Sequence, residues 1–226
     1  MQDEILKHTK KAYTEMKNKE HSFWHKTKEI FIEVAIIVFA VSLSIWLHGW
    51  SEHRHQQKEV KEFLVDLKED LSKDIENFSR EKERLEKTLP SLTKINALTR
   101  KDIDTMRPIS ELNMNLITRR TNNGNYEGFK SSGKINFIEN KKVKKALLSY
   151  YQESMPPLEE IEKFRNTKGM EIIEHFGAKD DGVNALKDPL TRTKIRLLQQ
   201  ITESLIKAYD SDIKEAKDIL SEIEKK

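Results

Sequence analysis

The chain has 226 residues, with 41 Lys and Arg against 38 Asp and Glu, a formal charge of +3 and a charged fraction of 35%. So even a balance gives no argument for a nucleic-acid surface. The lack of any cysteine excludes disulfides, thiolate metal sites and cysteine nucleophiles together. Seven glycines and five prolines are few for this length and point to an all-α protein.

The first element is the one long apolar run, EVAIIVFAVSLSIWLHGW at its heart, between Ile30 and Trp50. The three tryptophans stand only at its edges, Trp24 on one side and Trp46 and Trp50 on the other. At the helical rise Trp24 and Trp46 lie about 33 Å apart, and Trp24 and Trp50 about 39 Å, matching the two interfacial belts of a bilayer. A core helix of this length needs more apolar sequence around it than the chain offers. A cleaved signal peptide needs small residues where Leu47, His48, Gly49 and Trp50 stand. The run therefore predicts a retained transmembrane helix over residues 29–50, with the three tryptophans as interface anchors. Lys11, Lys17, Lys19, Lys26 and Lys28 precede it and Arg54, Lys58 and Lys61 follow, a bias that predicts a cytoplasmic N-terminus and a domain outside.

Inside the span Glu33 is the residue that needs a reason. A carboxylate there costs about 2–3 kcal/mol at the bilayer centre and less near its edge. It either reaches the cytoplasmic interface as a boundary marker or meets a polar group on another helix, where Ser42 and Ser44 would add hydrogen bonds or close packing.

From Ser51 to Leu89 neither glycine nor proline interrupts the chain, and Val60, Leu64, Leu67, Leu71, Ile75, Phe78, Leu85 and Leu89 recur at helical spacing. Residues 51–90 are expected to continue the span as a stalk helix about 60 Å long, stopped or kinked at Pro90. Its seam is assigned to Leu64, Leu67, Leu71, Phe78 and Leu85. A second pattern, Leu190, Leu197, Leu198, Ile201, Leu205, Ala208, Ile213, Ala216, Leu220 and Ile223, predicts a returning helix over residues 189–226, opened by Pro189 and packed antiparallel on the first. Between them residues 91–188 form the head, and residues 1–28 the cytoplasmic arm. Head helices are expected from Leu92 to Met106, Ile109 to Arg119, Lys141 to Gln152 and Leu158 to His175. Turns are expected at Asn122 to Asn125 and at Met155, Pro156 and Pro157, with a loop from Ala178 to Asn184.

The runs EIFIEVAIIVFAVSLSIWLHGW and EFLVDLKEDLSKDI resemble the start of a family of single-pass membrane proteins of Bacteroidota whose function is not established. Its members carry a Glu at the start of the span, a Trp at its outer end and a Leu-x-x-Leu-x-x-Asp-Leu-x-x-Asp helix. Here these are Glu33, Trp50, Leu64, Leu67, Asp70, Leu71 and Asp74, while the family's usual Asn-Asn-Trp-Asn is Leu-His-Gly-Trp. GFKSSGKINFIENKKVKKALLSYY resembles its second block. The resemblance implies a topology and no activity.

Three patterns invite chemistry and fall short of it. GFKSSGK at residues 128–134 approaches the spacing of a phosphate loop, but Ile135 stands where a Ser or Thr would hold magnesium, and a polar turn precedes it instead of a strand. His21 and His25, four apart, lack a third metal ligand nearby; His48, His53 and His55 read as interfacial polar residues. Lys141, Lys142, Lys144 and Lys145 read as a solvated helix face, since a head some 50 Å above the bilayer lies beyond electrostatic reach of lipid. Tyr150 and Tyr151 read as core and rim.

No catalytic set, cofactor site or metal site is named. The expectation is a non-enzymatic inner-membrane accessory or scaffolding subunit that touches lipid and other membrane or periplasmic proteins, a second copy of itself among them, and neither nucleic acid nor a small-molecule substrate. A periplasmic sensory module is the alternative.

Overall fold

A computed structural model describes residues 2–105, 114–178 and 182–225; among the first 26 residues it describes the side chains of Lys10 and Trp24 alone. The described residues form seven α-helices and no strand: α1 Gln2–Ala97, α2 Arg100–Asp104, α3 Gly124–Ser131, α4 Lys141–Ser149, α5 Met155–Gly177, α6 Gly182–Lys187 and α7 Pro189–Glu224. They fall into two compact units, Met1–Gln56 and Gln57–Lys226.

In the first unit, α1 carries a stretch long and apolar enough to cross a membrane, none of it covered by the protein. Every side chain from residue 30 to 47 is exposed, Phe39 at 68% and Ile45 at 69% among them.

The second unit is built on the later part of α1, α5 and α7. Contacts between α1 and α7 pair rising numbers with falling ones, Lys68 with Glu224, Phe78 with Tyr209 and Asn96 with Gln199, so these helices are antiparallel within one chain. α5 also opposes α7, from Ser154 with Glu215 to His175 with Asp188. Residues 114–137 descend beside α1, with Asn122 bonded to Asp74, Asn125 to Asp70, Phe129 stacked on Phe63 at 4.0 Å and Lys134 paired with Glu59. The described residues between 91 and 188 thus pack along the two long helices within one compact unit.

The buried positions on α1 are 60, 63, 67, 71, 74, 78, 81, 85, 88 and 92, and on α7 they are 191, 195, 198, 201, 202, 205, 209, 212, 216 and 219. Steps of three and four are those of left-handed helix packing. Of the expected seam, Leu67, Leu71, Phe78 and Leu85 are buried, while Leu64 is partly buried at its flank. Leu190 and Leu197, taken for the α7 seam, are exposed at 54% and 37%; Thr191, Ile195 and Thr202 hold the inward register instead.

Pro90 does not end α1, which continues to Ala97. Its exposed position keeps the ring and the unpaired carbonyl four residues earlier away from the core. Residues 114–120, expected as the end of a helix, are irregular, and the start of that expected helix lies outside the described residues. The expected turn at Asn122 to Asn125 is instead the start of α3, with Asn123 as its N-cap. The expected loop from Ala178 to Asn184 contains the start of α6 and partly lies outside the described residues.

The turn expected at Met155 to Pro157 is also absent. The chain passes from α4 to α5 through a π-helical turn, Tyr150–Ser154, in which the Met155 amide donates to the Tyr150 carbonyl. The inward positions run 143, 147, 150 and then 151, 155, 158 and 162. One residue has been added to the repeat, and the wide turn absorbs it. Both tyrosines consequently point inward, so Tyr151 is core, not rim.

Candidate functional site

The interior of the Gln57–Lys226 unit is polar along part of its length. Asp74, Glu81, Thr88, Glu162, Arg165, Thr191, Thr202 and Asp212 are all buried. Those on α1 fall seven residues apart, Asp74, Glu81 and Thr88, alternating along the seam with Leu71, Phe78, Leu85 and Leu92. The heptad of α1 therefore has one apolar and one polar inward position per repeat.

Arg119 is the hub. The irregular segment before α3 inserts it beneath the surface, where its Nε donates to Glu162 Oε1 at 2.6 Å and its guanidinium lies 4.4 Å from the centre of the Phe78 ring. The pair's side chains are 2% and 8% exposed. The Tyr209 hydroxyl donates to the same Glu162 oxygen at 2.5 Å. Burial pushes the Glu162 carboxyl above its ordinary value, opposed by Arg119 and the Tyr209 hydroxyl. Burial and the Glu162 charge push the Tyr209 hydroxyl strongly up, so it stays protonated as the donor.

One heptad before Glu81 on α1, Asp74 Oδ1 accepts from the amide of Asn122 at 3.1 Å and from its Nδ2 at 2.7 Å. Among the described residues its other oxygen has no partner, nor has the buried Tyr150 hydroxyl. Burial raises the Asp74 carboxyl, partly offset by Asn122. Asp212 on α7 is pushed up to about 6, by burial first and by the charge of Glu215 next. The second half of the layer centres on Arg165, 1% exposed, which donates to the Asn115 carbonyl at 2.7 Å and the Thr202 hydroxyl at 3.3 Å. Glu81 takes both its bonds from Arg84 Nη1.

This arrangement is a buried store of ionisable groups in which Asp74, Glu162 and Asp212 all hold protons more tightly than exposed carboxylates do. It also fixes alignment. Sliding α7 by one heptad would remove Tyr209 from Glu162, leaving a buried charge short of a partner at a cost of several kcal/mol.

Glu33, Ser42 and Ser44 are exposed on α1. Helical geometry divides them. Ser44 lies about 20° around the helix from Glu33, whereas Ser42 lies about half a turn away. One neighbouring helix can meet Glu33 and Ser44 together, and Ser42 does not belong to that contact. Trp24, Trp46 and Trp50 are exposed, with the Arg54 guanidinium 4.8 Å from the Trp50 ring.

The GFKSSGK run is helical through Ser131, and Gly133 takes a left-handed φ of 76° in the turn that follows. Lys134 is held by Glu59 at 2.7 Å, so the run is a turn and not a phosphate cradle. Among the described residues no three His, Asp or Glu gather to hold a metal; the His21 and His25 side chains lie outside them. Lys141, Lys142 and Lys145 are exposed, as a solvated face requires. Gln57 Nε2 donates to the Phe137 carbonyl at 3.0 Å, four residues before Lys141.

Sequence reasoning missed Asp74, Glu81, Arg119, Glu162, Arg165 and Asp212, since a charged residue in a helix is ordinarily solvated. Comparison with protein-family models, with curated proteins and with solved structures finds no match.

Proposed function

We propose that this chain is a single-pass inner-membrane protein, N-terminus in the cytoplasm, whose periplasmic helical domain is an accessory or scaffolding unit for partner proteins. The observation that carries the reading is the uncovered apolar stretch of residues 30–47. Removing an aliphatic or aromatic side chain from water is worth about 1.5–3 kcal/mol, and a run this long left bare by its own fold calls for lipid. The lysine excess before the span supports the orientation. The face of Glu33 and Ser44, with Ala40 between them, supports contact with a second transmembrane helix through small and polar residues. Partners in this reading are membrane and periplasmic proteins, with another copy of the chain as one candidate.

Co-purification in mild detergent tests the assembly. Glu33→Leu and Ser44→Leu are expected to lose partners that wild type and Ser42→Leu retain; an identical partner set for all four sinks the intramembrane contact.

A sensory role is favoured by one observation, the buried Asp212, whose carboxyl is pushed up to about 6, within the range of an acidified periplasm. Proton binding there would change the charge of the helix-helix interface itself.

A further inference from the structure

At one end of the Gln57–Lys226 unit, α2, the end of α6 and the first turns of α7 enclose a cleft of about 390 Å³. Its lining is Ile103, Leu186 and Pro189 below and Arg100, Lys187, Arg192, Arg196 and Thr193 around them. Ile103 and Leu186 are 2% and 1% exposed, so the floor is part of the core. Among the described residues no carboxylate lines it.

The four cations differ in what holds them. Lys187 pairs with Asp104 at 2.9 Å. Arg192 donates to the Leu98 carbonyl at 2.7 Å, which fixes its direction and leaves its charge uncancelled. Arg100 and Arg196 are exposed and make neither an ion pair nor a hydrogen bond with any described residue. Arg192 and Arg196 are four apart on one face of α7, where like charges repel each other. Asp188, beside Lys187 in the chain, is engaged with His175 at 2.6 Å and with the cap of α7, and Asp102, two residues after Arg100, is engaged with Thr99. Gathering like charges about one concavity is unfavourable while it holds only water and becomes favourable when a multivalent anion enters.

We infer that this cleft binds a small phosphate-bearing ligand, with Arg100, Arg192 and Arg196 as the phosphate ligands. Arginine forks match phosphate oxygens in pairs, and three of the four cations are arginines. The apolar floor of Ile103, Leu186 and Pro189 suits a compact carbon body attached to the phosphate, and the volume lies in the range of small-ligand sites. This goes beyond the scaffolding reading and stands whether or not that reading holds.

The test is titration calorimetry on the full chain in nanodiscs of neutral lipid, with inorganic pyrophosphate and glycerol 3-phosphate as probes. Saturable binding of either probe is expected. The preferred probe tells the source, a free phosphate for pyrophosphate and a lipid headgroup for glycerol phosphate. Arg100→Gln combined with Arg196→Gln is expected to weaken binding at least about tenfold, and both side chains are exposed, so the fold should be untouched. Lys141→Gln with Lys142→Gln on α4 should leave it unchanged. Absence of saturable binding by both probes, or equal weakening by the two double variants, overturns the inference.

Discussion

Tyr209 on α7 gives its hydroxyl proton to the Glu162 carboxylate on α5 across 2.5 Å, at a point where Arg119 reaches the same oxygen from a third segment. Three stretches of chain meet on one buried oxygen, so this ion pair and hydroxyl help to fix the alignment of α5, α7 and the segment before α3, together with the bonds of Arg165 to Asn115 and Thr202. Replacing Arg119 with Met strands Glu162, and the unfolding free energy of a protein trimmed to residues 51–226 should drop by about 3–5 kcal/mol in urea. Arg119→Met with Glu162→Met removes both charges and should recover most of that loss. A double variant as weak as the single one would contradict the account of the layer.

The raised carboxyls give the domain a defined pH response. Asp212 ionises at about 6 in the folded chain and near 3.9 in an unfolded one, so the folded state binds the extra proton between these values. Its contribution is fully present below about pH 4 and is lost as pH rises through about 6; Asp74 and Glu162 add in the same direction. The exposed Glu69, Glu83 and Asp102 and the half-buried Glu171 are lowered and act oppositely, their contribution being lost as pH falls. Wild type should therefore lose about 2 kcal/mol between pH 4.5 and 7.5 relative to Asp212→Asn. Denaturant midpoints across that range check it, and parallel curves for the two proteins would sink it.

Leu71 is fully buried in the seam between α1 and α7 of the same chain. Leu71→Asp places a charge there and should destabilise residues 51–226 by more than about 3 kcal/mol at any protein concentration. Analytical ultracentrifugation decides, because a variant that sediments as a folded monomer where wild type is a dimer would mean the stripe pairs between chains.

Pro90 sits inside α1 with its ring exposed. Pro90→Ala restores a backbone donor and should stabilise the helix by about 1–3 kcal/mol, read from the thermal midpoint. A fall in stability would mean the proline shapes a bend that the packing needs.

Much of the fold was legible because periodicity and breakers speak for long helices. Leu67, Leu71, Phe78 and Leu85 gave α1 its face, and Pro189 after Asp188 gave α7 its start. The polar layer was not, because Asp74, Glu81 and Thr88 look solvated one at a time. Only continuing the heptad through Leu71, Phe78, Leu85 and Leu92 puts them inside. Choosing Leu190 and Leu197 for the α7 seam came from the same habit of following apolar residues instead of phase. The π turn was hidden for another reason: Pro156 and Pro157 break a regular helix locally, and only the inward register of Tyr150 and Tyr151 together reveals that the chain continues through them. The basic cleft joins residues from positions 100 to 196, a distance in sequence that no local pattern spans.

The central claim is that residues 29–50 cross a membrane and separate the first residues from the helical domain. The native chain has no cysteine, so Thr9→Cys and Ser132→Cys each provide one labelling site, the latter exposed after α3. An impermeant maleimide applied to intact spheroplasts should label Ser132→Cys at once and Thr9→Cys only after permeabilisation. Labelling of Thr9→Cys with Ser132→Cys protected, or labelling of both in sealed cells, would contradict it.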